Sequence, residues 1–205
     1  MWWVLVSTSA ALLVVSLAAL LSLPGTRRHV IWLLMGAAVG AAALSVTVGP
    51  HSWTTSLAWG AFAGFSATLV AIDLATRTLP REISLLGFVL VAGFLLFSPA
   101  PSSGGVLTML VGAVMMTAIT ALLVFISRGA LGVGDLFLSP MLGAALGWID
   151  PWLVVVAWLV TAVTGGVVIA GLIVSRRVSA RSKVPYGPFM VAGTFAVLAL
   201  GGWRI

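Results

Sequence analysis

Long apolar runs broken by short polar loops fill this chain, and eight of them can be marked, at about 2–23, 30–49, 53–74, 83–97, 105–127, 136–148, 152–174 and 186–203. Most approach the roughly 20 residues that a helix needs to cross about 30 Å of hydrocarbon. Lipid offers backbone groups no partners, so helices are the expected element, and no alternating pattern of strand length argues for a barrel. The first run has no basic start (Met1-Trp2-Trp3-Val4) and no small-residue cleavage site before Pro24. It reads as a retained helix rather than a signal peptide. The expectation is an all-α, polytopic membrane helix bundle of about eight transmembrane helices. It forms a single membrane domain over 1–205, with no internal repeat.

Loop charge sets the expected orientation. Arg27 and Arg28 follow the first run, Arg77 and Arg81 the third, Arg128 the fifth, and Arg176, Arg177, Arg181 and Lys183 the seventh. The alternate connections, 49–52, 98–104 and 149–151, hold no Lys or Arg. Excess Lys/Arg marks the cytoplasmic side, so both termini are expected outside, with only Arg204 breaking the alternation. Trp2, Trp3, Trp53, Trp148, Trp152 and Trp203 fall at the ends assigned to the outer interface, where indoles prefer to sit. Trp32 falls at the inner interface, while Trp59 and Trp158 lie deeper, as packing residues. Gly36-x-x-x-Gly40, Gly60-x-x-x-Gly64 and Gly143-x-x-x-Gly147 each put a small face on one helix, suited to close helix approach. Ser98 to Gly105 reads as a flexible outer connection.

Composition agrees with this pattern. The chain is 61% hydrophobic and 7% charged, with a mean hydropathy of +1.24, whereas about a quarter of a soluble domain's residues are charged. The lipid bilayer is therefore its main partner. The net charge of +6 sits in the loops as a topology signal rather than in a binding patch, which excludes a nucleic-acid partner. The absence of cysteine removes disulfides, thiol catalysis and cysteine-based zinc sites. His29 and His51 fall on opposite sides of the expected membrane, so no metal and no cofactor is expected.

Only four acidic residues remain: Asp73, Glu82, Asp135 and Asp150. An ionised Asp deep in a membrane costs about 2.5–3.5 kcal/mol on insertion scales, so such residues are rare without a use. Asp73 ends the run Leu69-Val70-Ala71-Ile72, where the simplest role is an acid at a helix end neutralised by Arg77. Asp135 follows Gly132-Val133-Gly134 and opens a segment of only about 13 residues, short for a full crossing, so its start is expected among other helices. There it reads as an N-cap, with Gly132 and Gly134 as turn formers of positive φ that also let a substrate backbone approach. Asp150-Pro151 reads as an N-cap and first-turn proline, and Glu82 as a partner of Arg81 or Arg77 or a helix cap. Asp73 and Asp135 fall on the same side and on different helices. Two facing carboxylates, one ionised to activate water and one protonated to donate to a carbonyl, make an aspartyl protease site.

Four features in series carry a resemblance. Ile72-Asp73 with Leu79-Pro80 resembles the first aspartate motif of the prepilin peptidases (type IV leader peptidases), and Gly132-Val133-Gly134-Asp135-Leu136 resembles their Gly-x-Gly-Asp motif. Leu142 to Trp148 is similar to the family's small-residue helix, and Val184-Pro185-Tyr186-Gly187-Pro188-Phe189 to its Pro-aromatic-Gly-Pro entry to the last helix. The likeness covers about 65–200. It implies a multi-pass aspartyl endopeptidase of the bacterial cytoplasmic (inner) membrane that removes the basic leader of type IV prepilins or pseudopilins at the cytoplasmic face. Asp73 and Asp135 map onto the catalytic acids; Gly132, Gly134 and Pro80 onto positioning residues. Phe137, Pro185, Tyr186, Gly187 and Pro188 are candidates for a substrate channel.

The chain also departs from the family. Phe137 stands where the family often has Lys, and Arg81-Glu82 where it often has Asp or Asn. Only Thr26-Arg27-Arg28-His29 joins the first two runs, where larger members carry a cysteine-rich domain, which argues against their N-methyltransferase activity. Two rival readings stay open. One is a catalytically weak or inactive prepilin-binding assembly factor, kept alive by Phe137. The other is a small ion- or proton-coupled transporter, against which the lack of an inverted repeat counts.

Overall fold

The computed structural model describes residues 52–102, 104–127, 132–176 and 185–201. The expected helices at about 2–23 and 30–49 lie outside the described residues. So do His29, His51, Trp2, Trp3, Trp32, Trp203, Gly36, Gly40, Arg128, Lys183 and the termini.

Six helices and no strand form among the described residues: α1 (Trp53–Thr76), α2 (Arg81–Leu96), α3 (Val106–Ile126), α4 (Val133–Gly147), α5 (Trp152–Val174) and α6 (Gly187–Gly201). Each falls on an expected apolar run, because in such a sequence the run between polar loops is the helix. Three of them, α1, α3 and α5, are long and apolar enough to cross a membrane, and the protein is an all-helical membrane protein. At 15 residues each, α4 and α6 are shorter than the roughly 20 needed for a full crossing.

Burial separates the helices into inner and outer ones. The most apolar stretch of α1 is 72% buried, against 28% for those of α3 and α5. Accordingly Val114, Phe125, Leu159, Val163 and Val167 point outward, as expected where lipid is the solvent. Short α4 is enclosed: Leu138, Met141, Leu142, Ala144, Ala145 and Leu146 are fully buried. It packs on α3 and α2, while α1 pairs with α2 and α5 with α6. Neighbouring helices run antiparallel. Thr54 Oγ1 at the start of α1 donates to Phe97 O after α2 (3.2 Å), and Gly105 N–H before α3 donates to Trp148 O after α4 (3.2 Å).

The last of these bonds corrects two expectations. Trp148 is not an exposed interfacial indole but a buried residue packed in the core cluster, and its carbonyl anchors the 98–105 connection. Nor is that connection loose at its ends: Ser98 Oγ donates to Phe94 O (2.8 Å), and Gly105 holds φ +142°, which only glycine adopts freely. Trp53 and Trp152 are exposed as expected, and Trp59 and Trp158 are buried.

Close helix approach is concentrated at the α3–α4 crossing. A Cβ added to Gly112 would lie 2.5 Å from Gly143 O and 2.6 Å from Gly147 Cα, and one added to Gly143 would lie 2.5 Å from Met116 Cβ. Backbone meets backbone here, so neither side can yield. Gly143→Ala is expected to cost about 1–3 kcal/mol by overpacking. Gly166→Ala, with nothing within 4 Å of the new methyl, is expected to cost nothing. Thermal unfolding in detergent checks the pair, and equal midpoints would refute the crossing. Pro140 interrupts the ladder of α4 and leaves Leu136 O without its helical donor. Ser139 Oγ supplies one at 2.8 Å.

Candidate active site

Three helix ends converge: the last turn of α1, the first turn of α4 and the first turn of α6. Each brings one residue. Asp73 lies three residues inside the end of α1 and is 4% exposed. Its Oδ2 is buried with no hydrogen-bond partner. The expected pairing with Arg77 does not form. Arg77 caps α1 in the left-handed region (φ 55°), donating its N–H to Asp73 O at 2.8 Å. A residue that leaves the helix this way no longer presents its side chain to position i−4. Instead, Arg81 pairs with Glu82 on the exposed start of α2, Nε to Oε1 at 2.7 Å.

Asp135 occupies the third position of α4, not the N-cap position expected for it. Gly132 is the N-cap, and its N–H donates to Asp135 Oδ2 at 3.2 Å while Asp135 N–H donates to Gly132 O at 3.1 Å. The carboxylate thus faces the positive end of the helix dipole, with one oxygen engaged and the group 4% exposed. Asp150, at the opposite end of the bundle, is not the N-cap expected of it: it stands one residue before the N-cap Pro151, where its Oδ1 accepts Trp152 N–H at 2.8 Å.

Both glycines of the Gly-x-Gly-Asp string act differently from the expectation. Gly132 has φ −75°, and Gly134 is helical without a positive φ. What Gly134 provides is space, and that space is already taken. A Cβ there would lie 2.7 Å from Leu79 Cβ and 3.2 Å from Leu79 N. The 77–80 turn lies directly on the start of α4, so Gly134 admits this chain's own backbone rather than a substrate's. Pro80 is the N-cap of α2 and accepts Ser84 N–H (3.2 Å) and Ser84 Oγ–H (3.1 Å) on its carbonyl.

Gly187 joins the two acids. A Cβ on it would lie 2.9 Å from Asp73 Oδ2, 3.2 Å from Leu79 Cδ1 and 3.5 Å from Asp135 Oδ1. Those two carboxylate oxygens are therefore no farther apart than these two reaches laid end to end, and the Asp73 charge acts directly on Asp135. The geometry brings together two carboxylates, one orphaned acceptor and one backbone surface with no side chain. Such a pair can hold a water between an acid and a base. Among the described residues no three His, Cys, Asp or Glu gather.

Of the channel candidates, Gly187 reaches the two acids. Tyr186 is half-buried before α6, its ring stacked on Trp158 (6.1 Å, 23°) and tilted against Phe189 (6.1 Å, 53°). Pro185 and Pro188 flank it, half-buried, with Pro188 in the first turn of α6, where its missing N–H costs no helical bond. Phe137 stands apart. Two residues along a helix are about 200° apart around its axis, so Phe137 leaves α4 on the face turned away from Asp135. Sequence reasoning passed over Leu79 as the group covering Gly134, and Trp158 and Gly165 as supports of Tyr186. The adjacent glycines Gly165-Gly166, inside a long apolar run, were the available sign of a close approach there.

Residues 60–170 match the model of the type IV leader peptidase family, a stretch that includes both acids and ends before Tyr186 and Gly187. No curated protein and no solved structure matches the chain.

Proposed function

We propose, starting from the premise that this chain belongs to the type IV leader peptidase family, that it is an aspartyl endopeptidase of the bacterial inner membrane. In this reading it removes the basic leader of type IV prepilins or pseudopilins, with Asp73 and Asp135 as the catalytic acids. The observation that carries the reading is Gly187, whose bare backbone backs onto both carboxylates at once.

Two carboxylates this close titrate as a unit and share one proton. The ionised member takes a proton from water as the water oxygen bonds to the scissile carbonyl carbon, and the protonated member gives its proton to the carbonyl oxygen. The resulting diol collapses with proton transfer to the leaving amine, which breaks the C–N bond and restores the shared proton. The buried Oδ2 of Asp73 has an open acceptor site for that water. Asp135, held by Gly132 N–H, is the fixed member. Gly132, Gly134, Leu79 and Pro80 position it.

Orientation toward the cytoplasm is supported by Arg77, Arg81 and Arg176, which lie next to the helix ends that carry the site, while 98–102, 104–105 and 148–151 hold no basic residue. The eight-helix arrangement with both termini outside rests on the sequence pattern. Leader removal in a strain co-expressing a prepilin with a Lys/Arg-rich leader tests the function. Cleavage by the wild type, lost in Asp73→Asn and Asp135→Asn variants, is the expected result. Intact prepilin throughout would leave a binding factor, and ion flux in proteoliposomes a transporter.

A further inference from the structure

Leu79 bridges the two helix starts that frame the acid pair. Its Cβ and backbone rest on Gly134, where an added Cβ would lie 2.7 Å from Leu79 Cβ and 3.3 Å from Leu79 O. Its Cδ1 reaches across to Gly187, 3.2 Å from where a Cβ on that glycine would stand. The same point is 2.9 Å from Asp73 Oδ2 and 3.5 Å from Asp135 Oδ1. The Leu79 methyl is therefore no farther from either carboxylate oxygen than these reaches laid end to end. Carbon atoms in contact sit about 3.5–4.0 Å apart, so methyl and carboxylates leave room for about one layer of atoms between them. This wall is anchored by backbone. Leu79 meets the helical backbone at Gly134, Pro80 after it holds φ −67° as the N-cap of α2, and Thr76 Oγ1 donates to Thr78 O before it at 3.2 Å. Seating on Gly134 uses only the backbone and Cβ, which leaves the rest of the side chain to shape the site.

We propose that Leu79 determines which peptide bond the acid pair can cut, its Cδ1 methyl admitting glycine but no larger residue on one side of that bond. The inference rests on the protease reading and gives it a specificity residue. A scissile bond laid against the bare backbone of Gly187, with its carbon between the carboxylates, fills the one layer available. A side chain on the residue that faces Leu79 would need a second layer. It must then push the peptide off the acids or push the 77–80 turn off Gly134, and the backbone contacts there resist the second course. One methyl too many in a shaped apolar site changes discrimination by about 10–200-fold. Glycine meets no such collision, because it has nothing to place against the wall.

The test uses the full chain in liposomes and synthetic prepilin segments, each a Lys/Arg-rich leader followed by an apolar helix. The segments differ only in the residue before or after the cleaved bond, which is glycine or alanine at each position in turn. Wild type is expected to prefer glycine by about a hundredfold in kcat/KM at one of the two positions. Leu79→Ala, which removes the methyl, is expected to bring that preference down to about tenfold or less. Leu79→Val, a smaller cut that withdraws the same methyl, is expected to lower it in part, and serves where the alanine variant does not fold. The ratio is the decisive readout, since a merely loosened fold slows both segments alike. An unchanged ratio in the folded variants overturns the inference and returns Leu79 to packing. Equal cleavage of glycine and alanine segments by the wild type, at both positions, also overturns it and leaves the protease reading standing. If the wild type cleaves no segment, both readings fall together.

Discussion

Asparagine at position 73 or 135 is expected to lower leader removal by about a thousandfold, while the protein stays folded in the membrane. Each substitution keeps the shape of the side chain and removes one half of a proton-sharing pair, and positioned acid–base groups contribute on the order of 10²–10⁴-fold. The two losses should not multiply, since residues acting as a unit fail together; the double variant is expected to be about as slow as either single one. Stability should not suffer at position 73, where an orphaned buried carboxylate oxygen is an unfavourable feature of the fold. Activity falls while the melting temperature does not, which distinguishes a chemical loss from a structural one. In the wild type, activity should drop at both pH extremes, as the base is protonated at one and the acid ionised at the other. Radiolabelled prepilin cleavage across pH, beside circular dichroism of each variant, checks these outcomes. Multiplying losses, or an active Asn variant, would separate the two acids in function.

Alanine at position 187 is expected to reduce cleavage about a hundredfold, although it adds only a methyl group. That methyl would stand 2.9 Å from Asp73 Oδ2 and 3.5 Å from Asp135 Oδ1, in the space the reading assigns to water and the scissile bond. Displacing reacting groups by about 1 Å can cost 10²-fold. Trimming Leu79, the apolar neighbour at 3.2 Å, relieves one contact but not the collision with the carboxylate. Gly187→Ala combined with Leu79→Ala is therefore expected to remain slow. Recovery of rate in that double variant would assign Gly187 to packing against Leu79 alone. Chemistry and folding are separable in this case too, because Gly187 stands at the start of α6, where one added methyl leaves the helix ladder intact.

Much of this arrangement was legible in advance. The six described helices fall on six of the marked apolar runs, and they start directly after Ser52, Pro80, Gly105, Gly132, Pro151 and Tyr186. Both acids stood out because carboxylates are scarce and costly in such a sequence. The roles of their neighbours were less readable. Gly134 suggested a turn and serves instead as a seat for Leu79, fifty-five positions earlier. Asp73 suggested a pair with Arg77, but a left-handed cap sends that arginine away. Trp148 suggested an interface and is packed in the core, with its carbonyl bonded to a loop more than forty residues upstream.

The sequence by itself determined the solvent, the helices and the two acids, because hydropathy and the cost of charge in lipid are local properties that each residue carries with it. Only the tertiary structure decided that Asp73, Asp135 and Gly187 meet at one point. Those residues lie on three helices separated by long stretches of chain. Their meeting depends on how backbones cross, at Gly112 with Gly143 and at Leu79 with Gly134, and a crossing is a property of pairs that no single run of residues contains.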